Sequence, residues 1–293
     1  MDGAIVVDKP PGCTSHDVVD RMRRIAQTRR IGHLGTLDPL ATGVLPLLIN
    51  RATRLAQYFR RNDKKYDAII RFGLTTDSFD RDGEVTARYS AFVLQREELE
   101  NALEAYRGTF LQTPPPVSAK KVKGVPAYKL ARKKAPVELE PIEVTVYSLE
   151  LADLTAETAR VKVHCSGGTY VRSIADDLGR RLGCGAIVDQ LRRTASGDFT
   201  EDQARILEDL DQLARTGSLE QALIPSGRLL PEIPSETVDS LTAGQIRQGR
   251  DFRVSPFRSR RDDRLVKAIT QDGDLVAIGE AILPNVYHPV LVL

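Results

Sequence analysis

Apolar residues recur along the chain with two spacings, and each spacing marks a kind of element. The run "AIVVD" (4–8) is short, apolar and halted by "KPPG", which predicts a buried strand. From Ser15, a residue able to cap a helix, Val18, Met22 and Ile25 follow at three-to-four spacing through about Gln27, with Arg21, Arg23 and Arg24 on other faces. Helical spacing returns at Leu99, Leu103 and Tyr106 within 96–108, where Gly108 supplies a stop, and at Ile174, Leu178 and Leu182 within 173–183. Segments 66–73, 142–151 and 159–166 read as strands. Strands and helices do not alternate in regular βαβ units, so the expected class is α+β, a mixed, largely antiparallel sheet flanked by helices.

Near the end of the chain the pattern changes. "PSGRLLPEIPSE" (225–236) carries three prolines, the composition of a linker. Beyond it, 265–283 reads as two strands joined by an Asp-Gly turn. The expected organisation is therefore a large unit, 1–231, followed by a small β-rich unit, 232–293; a chain of 293 residues suits one large core and one small one.

Composition narrows the function mainly by exclusion. With 41% hydrophobic and 28% charged residues, and no apolar run of about 18 positions, the chain reads as globular rather than membrane-spanning. Its N-terminal segment, "MDGAIVVDKPPG", does not resemble a signal peptide, and a cytoplasmic location is expected. Cys13, Cys165 and Cys184 form no C-x-x-C pair, and His16, His33, His164 and His288 are scattered, so no metal centre is expected. Neither G-K-[ST] nor G-x-G-x-x-G occurs at a suitable place, and no nucleotide cofactor is expected. "SFDRDGEVTARY" (78–89) has Asp80, Asp82 and Gly83 in calcium-loop positions, but Ser78 and Tyr89 stand where the first and last ligands belong. It reads as an acidic turn.

Charge adds one feature. The net charge is only +2, yet residues 112–137 hold seven lysines and arginines, among them Lys121, Lys123 and Lys129, and no acid. The rest of the chain is net negative. Such a segment is either a solvated loop or a surface for a polyanion, and charge alone leaves both open.

The candidate chemistry lies in "RRIGHLGTLDPLATGVLPLLIN" (29–50), where Asp38 is the single acid in twenty-two positions. Flanked by Leu37 and Pro39, it is either a capping aspartate or a functional carboxylate. Burial would raise its pKa, and a nearby arginine would oppose that through a charge-assisted hydrogen bond. Arg172, in "CSGGTYVRSIADDLG", is one possible donor and could equally be a surface residue. A carboxylate glycosidase would need a second acid, and neither Asp8 nor Asp80 has a context suggesting a raised pKa.

Several segments together resemble one family. "GHLGTLDPLATGVLPL" (32–47) is similar to the signature of the TruB family of tRNA pseudouridine synthases. "DKPPGCTS" (8–15), "KKYDAIIRFGLTTDSFDRDG" (64–83), "CSGGTYVRSIADDLGRRLGCGA" (165–186) and "QLRRTASGDF" (190–199) resemble further family segments, in the family's order, over about the first two hundred residues. The resemblance implies the pseudouridine synthase fold with a PUA-like C-terminal domain. It also implies isomerisation of the T-loop uridine at position 55 of tRNA, without cofactor. Asp38 would be the nucleophile, Arg172 its ionic partner, and Tyr66 the ring that stacks on the target base and a candidate for handling the C5 proton. Leu191 would close the pocket, His33 would wedge into the RNA loop, and Lys9 would help position the backbone near the site. The basic insertion, with Lys121, Lys123 and Lys129, would close over the T-stem and loop. A stand-alone monomer needing no protein partner is expected. The alternatives are a guide-RNA-dependent synthase and a non-catalytic tRNA-folding chaperone. Replacing Lys121, Lys123 and Lys129 together should weaken tRNA binding and flatten its salt dependence; unchanged affinity across a salt series would count against this.

Overall fold

In the computed structural model, residues 1–59, 62–117, 121–122, 125–126, 139–255 and 264–293 are described. Ten strands build one mixed sheet whose main path runs Ile224–Pro225, Gly3–Lys9, Thr42–Ile49, Ala186–Ser196, Lys64–Phe72, Thr158–Cys165, Ile142–Leu154 and Gly108–Gln112; Ile31–His33 and Phe199–Thr200 branch from it. Its ladders are antiparallel except between Thr42–Ile49 and Ala186–Ser196, which run parallel at Arg192 opposite Thr42 and Arg193 opposite Gly43. The expected mixed, largely antiparallel sheet with flanking helices is therefore observed.

Alternation within the first strands explains their unbroken apolar runs. Ile5 and Val7 point into a core shared with the helices, while Ala4 and Val6 point into a second core on the opposite face. Leu45, Leu47 and Ile49 likewise join the first core, and Val44 and Leu48 the second. A strand buried on both faces has no polar alternation to display. Helices Ser15–Ile25, Arg96–Glu104, Val171–Arg181 and Leu207–Arg215 cover the first face through Val18, Met22, Leu99, Leu103, Ile174, Leu178 and Leu210.

The second face is covered by the C-terminal residues. Ser235–Thr237, Leu265–Ile269, Leu275–Leu283, Val286–Val292 and Phe252–Arg253 form a five-stranded sheet, packed by helix Ser240–Arg247. Leu275, Ile278, Leu291 and Leu293 from this sheet meet Val6, Val44, Leu48 and Leu55 in one cluster. The proline-rich stretch does not behave as a loose linker. Ile224 and Pro225 pair with the first strand, Leu229 and Leu230 are buried, and Lys267 donates to the carbonyls of Gly227 and Leu229. Proline excludes helix but says nothing about burial, and here three prolines shape a strap seated in the core.

At the first helix, the capping residue is Thr14 rather than Ser15. Thr14 and Asp17 form a reciprocal capping box, and Ser15 is buried with its hydroxyl turned to another segment. Gly43 marks the tightest backbone approach near the site. Its φ of +98° suits glycine, and a Cβ there would stand 2.3 Å from the Arg193 carbonyl oxygen across the parallel pairing. Gly43→Ala should therefore lower the unfolding free energy by more than ~1 kcal/mol in urea denaturation; wild-type stability would show that the pairing yields without cost.

Candidate active site

The loop carrying Asp38 connects strand Ile31–His33 to strand Thr42–Ile49 and is fastened from three sides. Ser15 donates to the Leu37 carbonyl at 3.1 Å and accepts from the Leu37 amide at 2.8 Å. Lys9, 0% exposed, donates to the carbonyls of Pro10, Pro39 and Ala41 at 2.9, 3.1 and 2.7 Å. Arg193, also buried, donates to Val44 O at 2.7 Å and Gly35 O at 3.1 Å. Each buried cation is thus answered by backbone carbonyls of the loop, which fixes the loop at the cost of desolvating two charges. Burial holds the Lys9 ammonium below its ordinary pKa.

Asp38 emerges from this clamp half-buried and meets Arg172. The Arg172 Nη2 donates to Asp38 Oδ1 at 2.9 Å, and its Nε lies 2.8 Å from Oδ2. Arg172 is only 2% exposed and lies in the first turn of helix Val171–Arg181. Its remaining donors go to Ser78 O at 2.8 Å, Asp80 Oδ2 at 3.2 Å and Val117 O at 3.0 Å. A planar guanidinium held by three segments has no freedom to reorient, so it presents a fixed fork to the carboxylate.

Asp80 departs from the expectation of an ordinary acidic turn. It does sit in the turn between Leu74–Thr76 and Val85–Arg88, but it is 4% exposed and shares the Arg172 guanidinium with Asp38. Burial raises its carboxyl pKa, opposed by the Ser78 hydroxyl and Arg172. The expectation that its context would not raise the pKa is thereby corrected. Asp80 does not line the cavity that holds Asp38, so it is not set out as a second acid facing substrate.

That cavity, about 280 Å³, is lined by Asp38, Lys64, Tyr66, Arg172, Leu191 and Arg193 together with the backbone-rich segments 35–37 and 168–171. Strand alternation accounts for the grouping. Lys64 and Tyr66 are two apart on one strand, Leu191 and Arg193 two apart on its neighbour, and Arg193 pairs with Tyr66 in register. The Tyr66 hydroxyl faces the Arg193 guanidinium, and burial raises its pKa. The cavity thus brings Tyr66 and Leu191 together with a carboxylate–guanidinium pair and two further cations, Lys64 and Arg193. No cluster of metal-ligating side chains occurs among the described residues.

Of the residues singled out in the sequence, Asp38, Tyr66, Arg172 and Leu191 converge on one cavity. Lys9 lies behind the loop with its donors spent on the protein's own carbonyls. His33 ends the strand beside the loop, opposite Leu47, and does not line the cavity; burial and Arg193 lower its pKa. Lys123 and Lys129 lie outside the described residues, and Lys121 opens a two-residue strand paired with Val125–Pro126. Sequence reasoning missed Lys64, Arg193 and Ser15. Period two from Tyr66 and Leu191 points to the first two; nothing local marks the third.

Known proteins bear on this geometry. Residues 23–171 match the TruB family pseudouridylate synthase N-terminal domain, and residues 172–231 match the tRNA pseudouridylate synthase B C-terminal domain. The tRNA pseudouridine synthase B of Solibacter usitatus is 59% identical over 100% of both chains. The protein of the same name from Aquifex aeolicus is 40% identical, with 96% of each chain covered. Among solved structures, a Cbf5-Nop10-Gar1 complex contains a chain with a TM-score of 0.70 and 27% identity, covering 97% of this chain and 79% of that one. An H/ACA RNP bound to a substrate RNA contains one with a TM-score of 0.72 and 24% identity, covering 99% and 84%, a likeness of fold.

Arg172→Met should destabilise the protein by about 3–5 kcal/mol in urea denaturation, because it strands buried carboxylates. The deficit should be smaller in acid and grow as pH rises through the raised pKa of Asp80, since only the ionised carboxyl misses its cation. A deficit independent of pH would contradict this.

Proposed function

Since this chain belongs to the TruB family of pseudouridylate synthases and isomerises uridine to pseudouridine in tRNA, we propose that its target is the T-loop uridine at position 55, with Asp38 as the nucleophile. The observation that carries this reading is the lone carboxylate of the 29–50 stretch, paired with a buried guanidinium in the cavity that also holds Tyr66 and Leu191.

The reaction breaks the bond between N1 of uracil and C1′ of ribose, turns the base over, and joins C5 to C1′. The C5 proton is lost and N1 regains one, so no atoms are gained and no net redox change occurs. A carboxylate suits the need for a nucleophile that holds an intermediate while the base reorients. Arg172 keeps that carboxylate charged and oriented. Tyr66 stacks on the everted uracil and, with its hydroxyl against Arg193, is a candidate for handling the C5 proton. Leu191 closes the opposite side. Lys9 acts from behind, holding the loop through Pro39 and Ala41.

A stacked uridine hides its reacting atoms, and extruding it costs a few kcal/mol. Stacking on Tyr66 returns about 1–3 kcal/mol. Backbone contacts supply the remainder, and the basic segment 112–137 is their source in this reading, with His33 entering the RNA loop where the uridine leaves it. The T-stem and loop of tRNA is the bound element. Residues 1–231 form the catalytic domain and 232–293 a PUA-like domain, in a stand-alone cytoplasmic monomer that needs no protein partner. A guide-RNA-dependent synthase finds support only in likeness of fold to chains of ribonucleoprotein complexes, whereas the more similar full-length relatives are named as tRNA enzymes.

Asp38→Asn is the discriminating variant. Pseudouridine formation on an unmodified tRNA transcript, mapped by carbodiimide adducts and primer extension, should vanish while tRNA affinity stays within about threefold. Persistent turnover would remove Asp38 from the chemistry, and absence of pseudouridine formation by the wild-type protein with tRNA binding intact would favour a chaperone.

A further inference from the structure

Besides Arg172, two buried cations line the cavity, and their hydrogen bonding differs. Arg193 spends its donors on Val44 O, Gly35 O and, at 3.5 Å, Thr36 O. Lys64, 8% exposed, has one hydrogen bond among the described residues, from Nζ to Asn62 O at 2.9 Å. An ammonium carries three donors, so two remain for whatever enters the cavity. The Asp38 loop passes close by, since a Cβ built on Gly35 would lie 3.7 Å from Lys64 Cε and 3.6 Å from Arg193 Nη1.

The charged groups around Lys64 do not neutralise it. Arg193 repels it, Asp63 attracts it but is engaged by His164, and Cys165 is a buried thiol pushed up to about 11 and so uncharged. Burial, with Arg193 second, lowers the Lys64 pKa to about 8. A desolvated ammonium beside a guanidinium is costly to keep, which makes a purely structural purpose a poor explanation when its single tether is one carbonyl.

The chemistry supplies a use. If Asp38 attacks C1′, a bond forms from the carboxylate oxygen to C1′ and the C1′–N1 electron pair departs with uracil, whose charge spreads to O2 and O4. If Asp38 attacks C6 instead, the C5–C6 π electrons move onto the ring and O4 becomes an enolate oxygen. Either way a uracil oxygen gains negative charge inside the cavity. Arg172 is committed to Asp38, Asp80, Ser78 O and Val117 O, and Arg193 to the loop. We propose that the Lys64 ammonium donates a hydrogen bond to a carbonyl oxygen of the everted uracil and stabilises the charge that develops there. The inference rests on the reading that this cavity isomerises uridine with Asp38 as nucleophile.

Lys64→Met, Lys64→Arg and Asp38→Asn separate the possibilities in single-turnover assays on a tRNA transcript between roughly pH 6 and 9. Lys64→Met should lose about 10²-fold in rate, the scale of removing one charge-stabilising donor, with thermal stability and tRNA affinity retained. Wild-type rate should fall as pH rises through about 8, as the ammonium is lost, and Lys64→Met should lack that falling limb. Tyr66 is shifted upward and Cys165 lies near 11, so neither produces it. Lys64→Arg should restore most of the rate and carry the limb to higher pH. Wild-type rate in Lys64→Met, with Asp38→Asn inactive, would overturn this inference alone. So would a slow Lys64→Met that keeps the falling limb and is not rescued by arginine, the mark of a structural tether. Turnover by Asp38→Asn would instead overturn the site assignment beneath it.

Discussion

The site depends on one guanidinium that cannot turn. Arg172 is withdrawn from water and fixed by four acceptors on three separate segments: Asp38, Ser78 and Asp80 of one turn, and Val117. Removing a guanidinium from solvent is unfavourable unless acceptors answer it, and here both Nη atoms are hydrogen-bonded while Nε lies 2.8 Å from the Asp38 carboxylate. That requirement couples the Asp38 loop, the 76–80 turn, the segment ahead of the basic insertion and the start of a helix. The segments matched to the two family domains meet at residues 171 and 172, so the Asp38–Arg172 pair also joins them.

A second layer of cations keeps the loop in place. Lys9 and Arg193 bind its carbonyls, Ser15 binds both polar groups of Leu37, and the parallel pairing at Gly43 brings Arg193 to the loop's edge. Behind these lie strands buried on both faces, one covered by helices and the other by the C-terminal sheet. Rigid strands, a clamped loop and a fixed fork leave little reorganisation to be done when substrate arrives, the condition under which electrostatic stabilisation is effective.

Much of this was legible in the sequence, and the failures have physical causes. The helix at 173–183 follows from periodicity, which reports the local burial pattern directly, and the strands at 4–8, 66–73, 142–151 and 159–166 from short strand-like runs between breakers. Asp38 was conspicuous as a lone acid among apolar neighbours, but its pairing with Arg172 spans 134 positions and no local pattern encodes it. Family resemblance supplied that link. Asp80 reads as part of an acidic turn with nothing local to raise its pKa; its burial depends on Arg172 arriving from another segment. The 225–236 stretch was read as a linker because proline content senses backbone restriction and is blind to packing. Ser15 was read as a cap, a role that Thr14 and Asp17 fill together.

The most direct test of the account is a crystal structure of Asp38→Asn bound to an unmodified T-stem-loop RNA. The target uracil should lie everted between Tyr66 and Leu191, with the residue-38 side chain within about 3–3.5 Å of C1′ or C6 and Arg172 still alongside. A uridine still stacked within the RNA loop, or a base bound away from residue 38, would contradict it.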